Sequence, residues 1–73
     1  MNSKEQAANV AARIAGYQRM YGVNDEELAV RLRISRQTFS KRKKEPGTYR
    51  VEELIAAAKT FGITLRELIG GTI

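Results

Sequence analysis

The sequence predicts an all-α domain of five helices, and three observations lead to that fold class. Apolar residues recur at steps of three and four along most of the chain, as they do on one face of an α-helix. Residues that favour helix caps stand before and after these stretches. No stretch of useful length alternates apolar and polar residues as a half-buried strand does. With 73 residues, we expect one domain spanning residues 1–73.

Helix 1 is predicted at about residues 4–21. Ser3 and Gln6 match a capping box before it, and Gly22 is suited to its C-terminal cap. The apolar face follows steps of four, three and four through Val10, Ile14, Tyr17 and Tyr21.

Two shorter helices follow and are joined by a tight turn. Asn24 or Asp25 is expected to cap helix 2, which ends at about Leu32. Ser35 is expected to cap helix 3, which continues to about Lys43. The residues expected inside this pair are Leu28, Ala29, Leu32, Ile34 and Phe39. Two helices joined in this way form the core of a helix-turn-helix, here at about residues 25–43.

The stretch "EPGTY" is the clearest helix breaker, and two more helices are predicted after it. Gly62 ends helix 4, and Thr64 with Glu67 forms a capping box for helix 5. The final "GGTI" is expected to fray. The inward face of helix 4 is predicted to carry Val51, Leu54, Ile55, Ala58 and Phe61, and that of helix 5 Leu65, Leu68 and Ile69.

The composition argues against several classes of function. The chain contains neither cysteine nor histidine, which removes the usual zinc ligands and the commonest general base. We therefore expect no enzyme activity, no metal and no cofactor. No apolar run approaches the ~20 residues of a membrane span, and no signal-peptide pattern opens the chain. We therefore expect a soluble, intracellular protein.

The positive charge is concentrated in one part of the chain. The formal net charge is +5, but residues 31–44 contain seven cations and no anion, whereas residues 46–73 carry three of each. Like charges at this density repel one another unless a polyanion relieves them. In a helix-turn-helix the second helix enters the DNA major groove, and here that helix lies within the basic stretch. The predicted partner is therefore double-stranded DNA.

The stretch "DEELAVRLRISRQTFSKRKKEPGTYRVEELIAAAKTFGITLRELI" resembles the phage repressor and Cro type of domain, the lambda repressor-like family. "EELA" opens helix 2 as in that family, "ISRQTFS" is similar to its turn and recognition helix, and "FGITLRELI" to its last helix junction. With helix 1 the resemblance covers roughly residues 10–69. It implies a five-helix, usually dimeric domain that reads a palindromic operator as a sequence-specific transcriptional regulator.

The resemblance also implies which residues contact DNA. Base-contacting positions fall on Arg36 and Gln37, and one turn later on Lys41 with Ser40 beside it. Glutamine can bond bidentately to adenine and arginine to guanine. Thr38 can offer its hydroxyl to phosphate or its methyl to thymine. The residues expected at the DNA backbone are Arg33, Ser35, Thr38, Arg42, Lys43 and Lys44.

Three positions depart from the family pattern. Arg33 stands where the turn commonly has glycine, and a left-handed arginine costs about 1 kcal/mol unless a DNA contact offsets it. Asp25 replaces a glutamine that contacts phosphate, so we expect it to act as a helix cap. Gln18 and Lys43 replace an arginine–glutamate pair, so Lys43 is expected to add to the basic surface without a partner.

Other functions fit the same fold. Apolar residues of helix 5 and the tail (Leu65, Ile69 and Ile73) could serve a protein-interaction module such as an antirepressor, an antitoxin or an assembly factor, or a homodimer contact. An enzyme would depend on the carboxylates at the start of helix 2, whose position is already explained by the helix dipole. RNA binding is disfavoured because the five aromatic residues are scattered instead of forming a stacking platform.

Overall fold

The computed structural model describes residues 3–70, with side chains from residue 7 onward. Five α-helices were predicted, and five are found in this range, without a strand. They are α1 (Ser3–Tyr21), α2 (Asp25–Leu32), α3 (Arg36–Lys44), α4 (Val51–Phe61) and α5 (Leu65–Leu68). The side chains of the Ser3–Gln6 capping box and residues 71–73 of the expected tail lie outside the described residues. No helix in the described range is long and apolar enough to cross a membrane.

Local signals set the helix ends. Gly22 and Gly62 adopt left-handed φ values of 68° and 69°, which glycine takes without steric cost, and end α1 and α4. The Asn24 side chain accepts a hydrogen bond from the Glu27 backbone N–H at 2.8 Å and caps α2. Expecting Asp25 to be the cap was therefore wrong, because Asp25 is already the first helical residue.

The apolar core contains buried residues from all five helices, and α3 packs on α2 and on the turn that follows α3. Phe39 from α3 is 1% exposed, and Leu28 from α2 is fully buried. Ile14 from α1 and Leu68 from α5 complete the group of largest fully buried side chains. These residues were predicted to face inward, and their burial holds α3 against the rest of the molecule.

The inward face of α4 differs from the prediction. Val51 and Ile55 are 63% and 39% exposed, so placing them inside was wrong. The buried residues of this helix are Glu53, Ala57, Ala58 and Phe61. The physical reason is helical geometry: the face that buries Ala57, Ala58 and Phe61 also carries Glu53, and it leaves Val51 and Ile55 toward solvent. Glu53 is tolerated inside because it bonds Arg42 of α3.

The two turns next to α3 place it against its neighbours. Arg33 between α2 and α3 has φ 61° and ψ 39°, the left-handed conformation anticipated from the family's glycine. After α3, the predicted breaker forms a short 3-10 turn over Pro46–Thr48, which packs on α1 and α3. Both ends of α3 are therefore held by the fold.

Candidate nucleic-acid interface

The outer face of α3 is a strip of exposed polar and basic residues. Phe39 fixes the inner side of the helix. At about 3.6 residues per turn, Gln37, Lys41 and Lys44 lie opposite Phe39 and share one line along the helix, with Ser40 beside them. All four side chains are exposed. We call Gln37, Ser40, Lys41 and Lys44 the outer strip. It offers one amide, one hydroxyl and two ammonium groups to a partner.

Arg36 lies on the flank of α3, beside the start of α2. It is exposed and lines a groove together with Asp25 and Lys43. The positive charge of Arg36 contributes to lowering the pKa of Asp25, after the larger effect of hydrogen bonds from Lys43 and Gln18. Of the residues expected to contact bases, Arg36 therefore lies outside the outer strip, which contains the other three.

The hydroxyls at the start of α3 are arranged in a local network. Ser35 Oγ accepts from the Thr38 backbone N–H at 3.0 Å, which confirms Ser35 as the cap. The same hydroxyl donates to Thr38 Oγ1 at 2.9 Å. The proton of Ser35 is used internally, while the Thr38 hydroxyl keeps its own proton to donate. Thr38 is thus better prepared than Ser35 to bond a phosphate oxygen.

Asp25 joins α1, α2 and α3 in one hydrogen-bond network. Its Oδ2 accepts from Lys43 Nζ at 2.8 Å, and its Oδ1 accepts from Gln18 Nε2 at 3.0 Å. Gln18 also donates to the Val23 carbonyl at 3.1 Å. The expectation that Lys43 has no partner was wrong, because Lys43 is bonded to Asp25. The family pattern has an arginine–glutamate pair at the positions of Gln18 and Lys43, and here the negative charge comes from Asp25 instead.

Arg42 is engaged by a second ion pair. Its Nε and Nη2 donate to the two carboxylate oxygens of Glu53 at 2.9 and 3.1 Å. Glu53 Oε1 also accepts from the Arg50 backbone N–H at 3.1 Å, at the start of α4. The side chains of Arg42 and Glu53 are 12% and 4% exposed. Arg42 therefore points into the fold more than outward, although it was expected at the DNA backbone.

The burial of two polar residues in these networks was missed by sequence reasoning. Gln18 and Glu53 are the buried polar residues of the described range. Gln18 stands directly after Tyr17 on a helix whose inward face had been assigned to apolar residues alone. Glu53 had the position of an ordinary acidic residue in the first turn of a helix. The spacing of Glu53 and Leu54 from Ala57, Ala58 and Phe61 at steps of three and four was the available signal.

A comparison with known families assigns the chain. A family model of the bacteriophage CI repressor helix-turn-helix domain matches residues 12–72. No curated protein and no solved structure matches the chain significantly. The matched range contains the whole helix-turn-helix, both ion pairs and the outer strip. The chain therefore belongs to the bacteriophage CI repressor helix-turn-helix domain family, a family of the DNA-binding regulatory type.

Proposed function

We propose that this chain is a sequence-specific transcriptional regulator of phage or prophage repressor or Cro type, which reads the DNA major groove with α3. The observation that carries the proposal is the outer strip, which presents hydrogen-bonding and cationic groups opposite a buried anchor, Phe39. An α-helix that fits the major groove can reach base edges only with the face turned away from its own core.

The proposed base-contacting residues are Arg36, Gln37, Ser40 and Lys41. Gln37 can bond adenine bidentately, and Arg36 or Lys41 can bond guanine, each good pair discriminating by about 1–3 kcal/mol. Gln37 and Lys41 face directly outward. Arg36 reaches from the flank, so its target base lies toward the strand that passes the start of α2.

The residues proposed to contact the DNA backbone differ in whether their side chains already have a bonding partner within the protein. Arg33 and Lys44 are exposed at the two ends of α3, and Thr38 has a hydroxyl proton to donate. Lys43 must leave or share Asp25 to bond a phosphate. Ser35 offers only its remaining lone pair, so its contribution is the helix cap. Arg42 is proposed to position α3 through Glu53 instead of binding phosphate.

Affinity and specificity then come from different groups. Phosphate contacts supply most of the affinity and steer association, and base contacts select the sequence. A homodimer on DNA places two recognition helices about 34–36 Å apart, one turn of the duplex. Such a regulator acts in the cytoplasm of the bacterial or phage-infected cell, where its operator is accessible.

Alanine substitution at Arg36 and Gln37 tests the proposal. After a binding sequence has been selected from random DNA, the double variant should lose most discrimination between that sequence and scrambled DNA, while its affinity for scrambled DNA changes little. Arg66→Ala is the matched control, since Arg66 is an exposed cation on α5, away from α3. Equal discrimination in the double variant and the wild type would refute base reading by α3.

A salt titration separates the proposed function from the protein-interaction alternative. Several phosphate contacts give a steep linear fall of log K with log salt, with a slope of about −0.9 for each phosphate neutralised. A chain that binds no DNA, or binds it independently of salt, cannot act in the proposed way. If such a chain still captures a protein partner after substitution of Arg36 and Gln37, the interaction module is favoured.

A further inference from the structure

Two grooves flank α3, and their charges differ. The α3–α4 groove runs between the outer sides of these helices and the end of α2. Its wall carries one exposed acid, Glu52, while Glu53 is bonded to Arg42. Apart from Arg42, the cations along this groove are Arg31, Arg33, Lys41, Arg50 and Lys59.

The groove on the other side of α3 is close to neutral. This α1–α3 groove is lined by Arg19, Arg36 and Lys43, but also by Asp25 and Glu26. Lys43 and Asp25 neutralise each other at 2.8 Å. The acids lie at the start of α2, where a phosphate would otherwise meet the positive end of the helix dipole. This side of α3 is therefore poorly suited to hold a polyanion.

The difference in charge between the two protein grooves is important because of the dimensions of a helix and of the DNA major groove. An α-helix with its side chains is about 10–12 Å across, and the major groove of DNA is about 12 Å wide. A helix that fills the groove brings the protein surface on either side of it close to one phosphate strand each. The strand beside the α3–α4 groove meets an excess of positive charge, and the other strand meets a nearly balanced surface.

We infer that the α3–α4 groove receives the phosphate backbone of one DNA strand, and that Arg31, Arg50 and Lys59 hold it. The inference rests on the proposed function and extends its interface beyond the helix-turn-helix onto α4. The electrostatic contact with each half-site is one-sided, because the acids of α2 weaken the contact with the opposite strand.

The bonding of the groove residues supports this assignment. Arg50 bonds Glu53 through its backbone N–H, so its guanidinium is not used by that contact. The described residues form two salt bridges, Arg42–Glu53 and Lys43–Asp25. Neither of them involves Arg31, Arg50 or Lys59. Thr38, whose hydroxyl proton is available, lines the same groove. All three cations are exposed.

Salt titration of single alanine variants of the full chain tests the inference. Arg31→Ala, Arg50→Ala and Lys59→Ala should each reduce the magnitude of the slope of log K against log salt by about 0.9. Their affinities for selected and scrambled DNA should fall by the same factor, because phosphates carry no sequence. Arg19→Ala in the α1–α3 groove is the matched control and should keep the wild-type slope. Far-ultraviolet circular dichroism checks that each variant is folded.

A phosphate-ethylation interference experiment provides an independent readout with the wild-type chain. Interference should concentrate on one strand of each half-site, and weaken at those phosphates in the Lys59→Ala variant. Wild-type slopes in the Arg31→Ala, Arg50→Ala and Lys59→Ala variants, or symmetric interference on both strands, would overturn the inference while leaving base reading by α3 intact. A wild-type chain that binds no DNA would instead overturn the proposed function, and the inference with it.

Discussion

Replacing Glu53 with glutamine tests whether the buried ion pair holds α3 against α4. The carboxylate accepts two hydrogen bonds from Arg42 and one from the Arg50 backbone N–H. Glutamine keeps the size but has one acceptor oxygen, so its amide NH₂ faces a guanidinium NH₂ and the negative charge is lost. A hydrogen bond to a charged group is worth about 1.5–3 kcal/mol, against about 0.5–1.5 kcal/mol for a neutral one.

We expect Glu53→Gln to lower the free energy of unfolding by about 2 kcal/mol. The loss is smaller than the ~3–5 kcal/mol for breaking a fully buried pair, because Arg42 is near enough to the surface to regain water. For a domain of this size the melting temperature should fall by about 8–16 °C. Thermal unfolding followed by circular dichroism measures it, and Glu52→Gln, an exposed acid on the same helical turn, is the matched control.

The pH dependence of the stability that is lost in Glu53→Gln identifies the cause of the loss. The hydrogen bonds from Arg42, aided by the Arg50 backbone N–H, hold the pKa of Glu53 below its ordinary value of 4.5, against the opposing effect of burial. The unfolded state therefore binds the proton more tightly, so this stabilisation is present above pH 4.5 and is lost as the pH falls through the lower folded pKa. A Glu53→Gln variant as stable as Glu52→Gln, or a difference that persists unchanged at low pH, would refute the reasoning.

Three further substitutions have expected outcomes. Arg33→Gly should raise the free energy of unfolding by about 1 kcal/mol, because φ is 61° at this position, and a loss of stability would contradict this reasoning. The same substitution should reduce the magnitude of the slope of log K against log salt by about 0.9. Asp25→Asn should strengthen DNA binding several-fold at low salt by releasing Lys43 and removing a negative charge, and weaker binding would show that Asp25 instead positions α3. Burial raises the pKa of Tyr49 to about 12, so the neutral phenol stabilises the fold below pH 10 and this contribution is lost as the pH rises toward 12. Tyr49→Phe should therefore lose less stability than the wild type between pH 10 and pH 12 in chemical denaturation, and identical profiles would contradict this.

The helices and their caps could be predicted because their signals are local. Ser35 caps a helix through the N–H three residues later, and Thr64 with Glu67 does the same for α5, so a few neighbouring residues determine the geometry. Gly22 and Gly62 end helices because glycine tolerates a positive φ. These interactions depend on residues within one turn of each other, which a single sequence displays.

The polar networks could not be predicted because they join residues far apart in the chain. Glu53 meets Arg42 across 11 positions, and Lys43 meets Asp25 across 18. In the sequence each of these acids sits in the first turn of a helix, where the dipole already accounts for it. The inward face of α4 includes Glu53 and excludes Val51, which apolar periodicity alone had placed inside.

Part of the candidate interface could be predicted from the sequence, and part of it could not. The direction of the outer strip follows from helical geometry once Phe39 is known to be buried, and the periodicity predicted that burial. The availability of each cation does not follow, because a basic residue with an internal partner looks the same in a sequence as one without. Arg42 and Lys44 are two positions apart, yet one is bonded inside the fold and the other is exposed.

Selection of bound sequences from a random pool of duplex DNA tests the central claim most directly, since it measures binding and sequence reading by the same chain. The wild type should enrich a palindromic site with half-sites about one helical turn apart. In parallel, Gln37→Ala should lose the preference at one base position within each half-site while keeping the others. Enrichment of no sequence by the wild type, or the same motif with unchanged preferences from Gln37→Ala, would contradict major-groove reading by the outer strip of α3.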